Sequence, residues 1–493
     1  MGETFVVVGG DAAGMSAASK AKRDDPDREV VVFEKGEWVS YGACGLPYYV
    51  KGDVAELADL VAVTPEEFRE ERDIDLRTRS EVVSIDTAAR TVTVSTDEGT
   101  YEQAYDDLLV ATGARAVVPP IDGVDADGAF TFHDMDTARA VRNYVAGGGP
   151  VGGDGPVEGD ASPGRGSAAA RETAADDGYG TEAGEYLRDE RPESVAIIGG
   201  GYVGLEMAEA FDARGLDVTV FEMLPHVLAP FGEAVAEVVE DHLREQGVDL
   251  HLDAVVDEIA TDEAGRVAGL RAAGESHDAE LVLLATGVEP NAELAESADI
   301  ETGETGAIVT DEYGRTSAED VFAAGDCAEA HNAVTDAADW VPLALTANRA
   351  GRAVGRTVAD DPTEVGDVVG TAAVKVFDLE VARTGVLDPE VAAEAGYDPV
   401  SKVITEESRA DYYPGGKPIT VEMVGDRETG RLLGASMVGE EGVAKRIDTV
   451  ATALHAGMTV EAVQNLDLSY TPPFGPVWDS VLTAAKVLAG ELE

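Results

Sequence analysis

One cysteine stands in a stretch that lets other groups come close: Ser40-Tyr41-Gly42-Ala43-Cys44-Gly45-Leu46-Pro47-Tyr48-Tyr49. A thiolate can act as nucleophile, redox centre or metal ligand, and small neighbours leave room for rings to reach the sulfur. Leu46-Pro47-Tyr48-Tyr49 reads as a helix start, because proline is tolerated in a first turn. A cysteine at that end feels the positive pole of the helix, so its pKa is expected to fall toward thiolate. Most free cysteines are small buried hydrophobes, and this stretch alone does not outweigh that reading. The only other cysteine, Cys327, is expected to be packed rather than reactive. Two cysteines make no disulfide framework, and the seven histidines show no paired spacing, so no metal site is expected.

The elements that must position the cysteine are more telling. An apolar strand at residues 5–8 runs into Gly9-Gly10-Asp11-Ala12-Ala13-Gly14, then an alanine-rich helix to residue 22, then a strand at 29–33 ending on Glu34. Such a turn sets a pyrophosphate on the helix N-terminus, and the acid accepts from a ribose hydroxyl. Asp11 replaces the middle glycine of G-x-G-x-x-G, and one degenerate match is weak. The unit then recurs. A strand at 194–198 leads into Gly199-Gly200-Gly201-Tyr202-Val203-Gly204, a helix to residue 214, and a strand at 217–221 ending on Glu222. Each copy also has a later strand closing in Ala-Thr-Gly, at 111–113 and 285–287. Two dinucleotides bound side by side imply a flavin and a nicotinamide, a pair suited to hydride transfer.

The first copy assigns Gly9, Gly10, Ala13, Gly14, Glu34, Lys35, Thr112 and Gly113 to FAD. Gly325 and Asp326 join them from a tight acidic turn after a strand at 321–324, with Asp326 placed for polyol hydroxyls. A helix from 342 to about 358 would aim its N-terminus at the flavin ring. The second copy assigns Gly199, Gly201, Tyr202, Val203, Gly204, Glu206, Glu222 and Gly287 to NAD(P)H. Glu222 favours NADH, since it can accept from both ribose hydroxyls. A 2′-phosphate about 4 Å away would be repelled by roughly 4 kcal/mol at an effective dielectric near 20. The next residues, Met223, Leu224 and Pro225, offer no arginine to offset that.

The formal net charge of −61, from 97 acidic and 36 basic residues, argues against nucleic acid or anionic membrane as partners. So even a spread of acid resembles the habit of salt-loving organisms, in which strong salt screens the repulsion. No apolar run reaches membrane-spanning length, and Met1-Gly2-Glu3-Thr4 leads straight into a strand without a signal peptide, so a cytoplasmic protein is expected. Residues 147–189, rich in Gly, Ala, Asp and Pro, are expected to be a disordered insertion.

Four stretches, Cys44-Gly45-Leu46-Pro47-Tyr48-Tyr49, Asp411-Tyr412-Tyr413-Pro414-Gly415, Lys445-Arg446-Ile447-Asp448 and Tyr470-Thr471-Pro472-Pro473-Phe474, resemble the single-cysteine branch of the pyridine nucleotide–disulfide oxidoreductases. The likeness is to the coenzyme A-disulfide reductases, with NADH oxidases and peroxidases as near relatives. The resemblance implies an α/β fold of two Rossmann-like dinucleotide-binding domains plus a C-terminal α+β dimerisation domain. The expected boundaries are 1–115 with 281–358 for FAD, 116–280 for NAD(P)H, and 361–493 for the dimerisation domain. It implies a homodimer in which Tyr470 and Tyr412 or Tyr413 reach the cysteine of the partner subunit. It also places Ser16, Lys20, Arg23, Ser40 and Asn348 against coenzyme A, with Arg72 near a phosphate.

Two absences sharpen the choice. The two-cysteine reductases carry C-x-x-x-x-C, but the positions five before and five after Cys44 are Val39 and Tyr49. Oxidases and peroxidases resemble one another in a histidine where Ala12 stands. The chain departs from the branch at Ala43, usually Asn, and around Trp478, where a lysine is usual. The implied activity is reduction of coenzyme A disulfide, or a similar small disulfide, by NAD(P)H. An NADH oxidase cycling a cysteine sulfenic acid is the first alternative. A flavin redox sensor or electron-transfer subunit for a protein partner is the second.

Overall fold

Both glycine-turn repeats fold as five-stranded parallel sheets in the computed structural model, which describes residues 3–146 and 191–492. The insertion expected at 147–189 lies outside the described residues. The first sheet runs Val321–Ala323, Asp107–Val110, Thr4–Val8, Glu29–Phe33, Asp75–Arg77. The second runs Ala129–Thr131, Val282–Leu284, Ser194–Ile198, Asp217–Phe221, Asp249–His251. The central strands Thr4–Val8 and Ser194–Ile198 are buried along all but their first residue, as continuous apolar runs covered on both faces must be.

The turns are held by backbone contact. Gly9 and Gly199 both have φ +111°, and a Cβ on them would lie 2.1 Å and 2.2 Å from the carbonyl oxygens of Ala111 and Ala285. A Cβ on Gly14 or Gly204 would meet the carbonyl oxygen of Gly9 or Gly199 at 1.9 Å or 2.0 Å. The middle position is different. A Cβ on Gly201 meets nothing within 4 Å, which is why Asp11 fits at the matching place.

The sheets share their chain in an interlocked way. The edge strand Ala129–Thr131 of the second sheet precedes that sheet, and the edge strand Val321–Ala323 of the first follows it. The crossing between them is an antiparallel ribbon in which Ala114–Ala116 pairs with Val288–Pro290. This corrects the boundary expected at residue 281. Val282–Leu284 pairs with Ser194–Ile198 and Ala129–Thr131, so the chain leaves the second domain only after Gly287. Each unit also carries a three-stranded antiparallel sheet that the sequence reading missed: Glu81–Asp86, Thr91–Thr96 and Gly99–Ala104 in one, Val256–Thr261, Val267–Ala272 and Glu275–Asp278 in the other.

The helix Ala344–Val358 crosses the first glycine-turn helix, Ala12–Asp24, at very close range. A Cβ on Gly351 or Gly355 would lie 2.1 Å or 2.4 Å from the carbonyl oxygen of Ala13 or Ala17. Beyond it, a five-stranded antiparallel sheet orders Ala372–Val376, Leu379–Gly385, Leu432–Gly439, Pro418–Asp426 and Pro399–Glu407. Helices Val443–His455, Val460–Gln464 and Ser480–Leu492 accompany it. Phe377 closes the turn between its first two strands, with φ +52°. Among the described residues no helix is long and apolar enough to cross a membrane.

Gly351→Ala should destabilise the folded protein by about 1–3 kcal/mol, because two backbones would have to separate. Gly490→Ala, whose Cβ would meet nothing within 4 Å, should be neutral or slightly stabilising. Chemical denaturation of both variants in strong salt checks the contrast.

Candidate active site

Cys44 lies in a 3₁₀ turn, Ala43–Gly45, directly before the helix Leu46–Lys51, and its side chain is exposed. Backbone bonds fix the turn: Gly42 N–H donates to Leu60 O (2.9 Å) and Gly45 N–H to Gly42 O (2.8 Å). The approach is tied to the first glycine turn. Ser40 N–H donates to Gly10 O at 3.0 Å, and Tyr41 N–H to Asp11 Oδ1 at 3.1 Å. The residue that breaks the glycine pattern therefore anchors the cysteine segment.

The expected lowering of the thiol pKa is overturned. Although its surface is open to solvent, the protein packed around the sulfur strips part of its hydration and pushes the Cys44 thiol up first, and the carboxylate of Glu206 adds to it, followed by Asp326 and Asp11. The cysteine sits outside the helix, which has only six residues, so little dipole opposes three nearby acids. Glu206, assigned from sequence to NAD(P)H, projects from the helix Tyr202–Ala213 and accepts from Tyr48 Oη at 3.1 Å. Burial raises its carboxyl to about 7, against the Tyr48 hydrogen bond. One turn on, buried Glu209 pairs with Lys51 (3.0 Å) and with Lys375 (2.5 Å) of the C-terminal sheet, and accepts from Phe377 N–H (3.0 Å). All three domains thus meet beside the thiol. Sequence reading missed Tyr48, Glu209 and Lys375 here. Only the first lies in a recognisable motif.

The two strand-end acids adopt one geometry. Glu34 accepts from Gly10 N–H (2.8 Å) and Gly36 N–H (2.7 Å), and Glu222 from Gly200 N–H (2.7 Å) and Leu224 N–H (2.8 Å). Gly325 presses on the first helix, where its Cβ would lie 2.9 Å from that of Ala13, and Trp340 Nε1 donates to Asp326 O at 2.8 Å. Asp11 lies close enough to Glu34 and Asp326 to feel both charges. Burial raises the Asp11 carboxyl to about 7, and the other two acids push the same way. Thr112 and Gly113 clamp the domain crossing: Thr112 Oγ1 donates to Asn291 O (2.6 Å) and Asn291 N–H to Gly113 O (3.0 Å). Lys35 is exposed. In the second unit Tyr202 and Val203 open the helix over the turn, Tyr202 packs edge-on against Phe231, and Gly287 has φ +100°. The glycine cradles, which any Cβ would fill, and the acids at the strand ends fit an FAD in the first unit and a pyridine dinucleotide in the second.

Part of the expected coenzyme A set comes together. Ser16 Oγ donates to Asn348 Oδ1 at 2.6 Å, and Arg72 reaches Ser19 Oγ at 3.3 Å on the same helix. Lys20 is paired with Asp24 at 2.7 Å, and Arg23 is exposed. Ser40 is held through its backbone by Gly10 and Ala62, with φ +49°. On the C-terminal domain, Tyr412 and Tyr470 share a hydroxyl–hydroxyl bond of 2.5 Å beside Tyr413, and none of them bonds to Cys44 of the same chain. They share an exposed apolar surface with Phe474, Val477 and Trp478.

Two dinucleotide cradles side by side, with one exposed cysteine between them, define a flavin- and pyridine-nucleotide-dependent oxidoreductase. The chain belongs to the pyridine nucleotide-disulphide oxidoreductases: the family's model matches residues 3–154 and 160–351, and that of its dimerisation domain matches 371–480. It is an enzyme that uses FAD and NAD(P)H. It is 39% identical over 489 residues to the NAD(P)H coenzyme A polysulfide/persulfide reductase of Pyrococcus horikoshii, covering 99% of each chain. It is 31% identical to an NADH oxidase of Methanocaldococcus jannaschii, covering 98% of this chain and 97% of that one. Among solved structures, the NAD-dependent persulfide reductase of A. fulgidus superposes with a TM-score of 0.86 at 36% identity, covering 99% of this chain and 83% of that one.

Glu206→Gln should lower the Cys44 pKa by removing a neighbouring negative charge. Alkylation of Cys44 by iodoacetamide should become several-fold faster at pH 8. The inflection near pH 7 in the wild-type rate profile should shrink in the variant, leaving the share that Asp11 contributes.

Proposed function

We propose that this enzyme reduces sulfur–sulfur bonds carried by coenzyme A, as disulfide or persulfide, with NAD(P)H and through Cys44 alone. The observation that carries the reading is the contrast between the two cysteines. Cys44 is exposed between the cradles, whereas Cys327 is fully buried, with Sγ 3.5 Å from the carbonyl oxygens of Val110 and Ala324. The names of the Pyrococcus and A. fulgidus relatives support it. So does the polar face of Ser16, Ser19, Lys20, Arg23, Arg72 and Asn348, whose cations a nucleotide phosphate would draw from Asp24 and Glu67.

FAD, when bound, accepts hydride from NAD(P)H and supplies two electrons to sulfur. The Cys44 thiolate attacks one sulfur of the substrate, forming a mixed disulfide and expelling a thiolate. Two electrons reopen the mixed disulfide, freeing the second thiolate and restoring Cys44. The overall balance is one disulfide, one NAD(P)H and one proton giving two thiols and NAD(P)⁺. The protein acts as a homodimer. Tyr412 and Tyr470 come from the other subunit and orient the substrate sulfur or supply its proton, since each hydroxyl both donates and accepts. Single-cysteine chemistry suits a reducing compartment, so we place the enzyme in the cytosol.

NADH is the favoured donor. Glu222 is buried and fixed by two backbone N–H groups, so its charge stays where a 2′-phosphate would arrive. The kcat/KM ratio of NADH to NADPH should exceed about ten, since 1.4 kcal/mol of repulsion suffices for that factor. A preference for NADPH would refute the assignment of Glu222.

Cys44→Ser should abolish NADH oxidation driven by coenzyme A disulfide while leaving FAD bound and reducible by NADH. Oxygen-driven NADH loss of similar rate in the wild type would favour an oxidase. Loss only with an added protein would favour an electron-transfer subunit.

A further inference from the structure

The first glycine turn carries a carboxyl where the second carries no side chain. Asp11 stands immediately before the helix Ala12–Asp24, and Gly201 holds the same position before Tyr202–Ala213. A Cβ on Gly201 would meet no heavy atom within 4 Å, which leaves that side of the turn bare for a pyrophosphate. The flavin unit therefore sets an ionisable side chain beside the place where two phosphate charges must sit. A carboxylate there repels the phosphates and competes with them for the positive end of the helix.

Among the described residues nothing offsets that charge. The groups whose charge acts on Asp11 are both acids: Glu34, at the end of the strand Glu29–Phe33, and Asp326, after Val321–Ala323. Tyr41 and Cys44 face it from the cysteine segment, and both stay protonated. Burial and the neighbouring acids raise the Tyr41 phenol, and the protein packed around the sulfur raises the Cys44 thiol. The Tyr41 and Ala12 amides favour a charged Asp11, but burial outweighs them, and the carboxyl rests at about 7 before any phosphate arrives. The geometry leaves a place for the proton. Tyr41 N–H occupies Oδ1 at 3.1 Å, so a proton on Oδ2 breaks no bond to the cysteine segment.

We propose that FAD binds with uptake of a proton on Asp11, which donates from Oδ2 to a phosphate oxygen while Oδ1 keeps the Tyr41 N–H. A neutral carboxyl has an O–H to give and an oxygen with which to accept. Donation to an ionised phosphate is charge-assisted and stronger than a bond between neutral groups. Asp11 is thus a positioning residue that ties FAD to the segment carrying Cys44. One hydrogen ion comes from solvent as FAD binds above neutral pH, and it returns when FAD leaves. Because a bound phosphate raises the Asp11 pKa further, affinity is level well below pH 7. It falls as pH rises above 7, until the pKa of the bound state is passed. The share of Asp11 in the rate profile of the loaded enzyme moves upward with that pKa.

Calorimetric titration of the full-length, FAD-stripped protein with FAD, in strong salt and in two buffers of different ionisation enthalpy, counts the protons. The wild type should take up about half a proton per FAD at pH 7 and about nine-tenths at pH 8, and its Kd should rise about fivefold between them. Asp11→Asn puts an N–H where the O–H would stand and leaves an oxygen for Tyr41, so it should bind FAD without that uptake or that rise. Asp11→Gly, which restores the pattern of the second unit, should lose both as well, so either variant suffices if the other does not take up FAD. No proton uptake by the wild type at pH 8, or equal uptake in the wild type and a variant, would overturn the proposal. Infrared difference spectra of the wild type, FAD-bound minus FAD-free at pH 8, give a readout that needs no variant. A new protonated-carboxyl band supports the proposal, and its absence refutes it.

Discussion

Contact between bare stretches of backbone is the constraint on which the rest of the molecule depends. At Gly9 and Gly199 the chain touches the carbonyl of a neighbouring strand, and at Gly14 and Gly204 it touches itself. The helix Ala344–Val358 repeats the device through Gly351 and Gly355. These contacts leave no slack for side chains. They bring strand, turn and helix close enough for Gly10 and Gly200 to hold Glu34 and Glu222. They also set Asp11 where it can take the Tyr41 N–H, and so fix the segment that delivers Cys44. The placement of the thiol is therefore a consequence of glycine positions distant from it in the sequence.

Charge is distributed along the cysteine helix in a way its dipole favours. Acids gather near the Cys44 end, and Arg214 takes the Val50 carbonyl at the other. The acids nevertheless hinder the thiolate, since two negative charges about 6 Å apart at an effective dielectric near 20 repel by roughly 3 kcal/mol. The pocket limits this by holding Asp11 and Glu206 near 7, so that protons as well as side chains set its charge. Glu209 is handled differently, being neutralised by two lysines from different domains. A carboxyl buried with no cation within reach has its pKa raised by desolvation.

What could be read from the sequence was whatever is written within one short stretch. The glycine turns, the acid at each strand end and the duplicated Ala-Thr-Gly close are local patterns, and the parallel sheets follow from them. The thiol pKa was misjudged because the length of the cysteine helix is not local information: Gly52 stops it after six residues. The strand Pro399–Glu407 escaped notice because it is a largely exposed edge without a clean alternation. The pairs Tyr48–Glu206 and Glu209–Lys375 join residues 158 and 166 positions apart, which no motif spells out. The boundary at 281 failed for a similar reason, although the repeat itself placed Ala285-Thr286-Gly287 in the second unit.

The exchanged edge strands govern how the molecule can be born. Val321–Ala323 completes a sheet whose adjoining strand, Asp107–Val110, was synthesised long before it. At roughly 5–20 residues per second, the ribosome needs tens of seconds to supply the missing strand. During that time the first sheet waits with an open edge and without the Gly325-Asp326 turn, while the second can already assemble all five of its strands. The cradle encoded first is thus completed after the second, which is encoded between its parts.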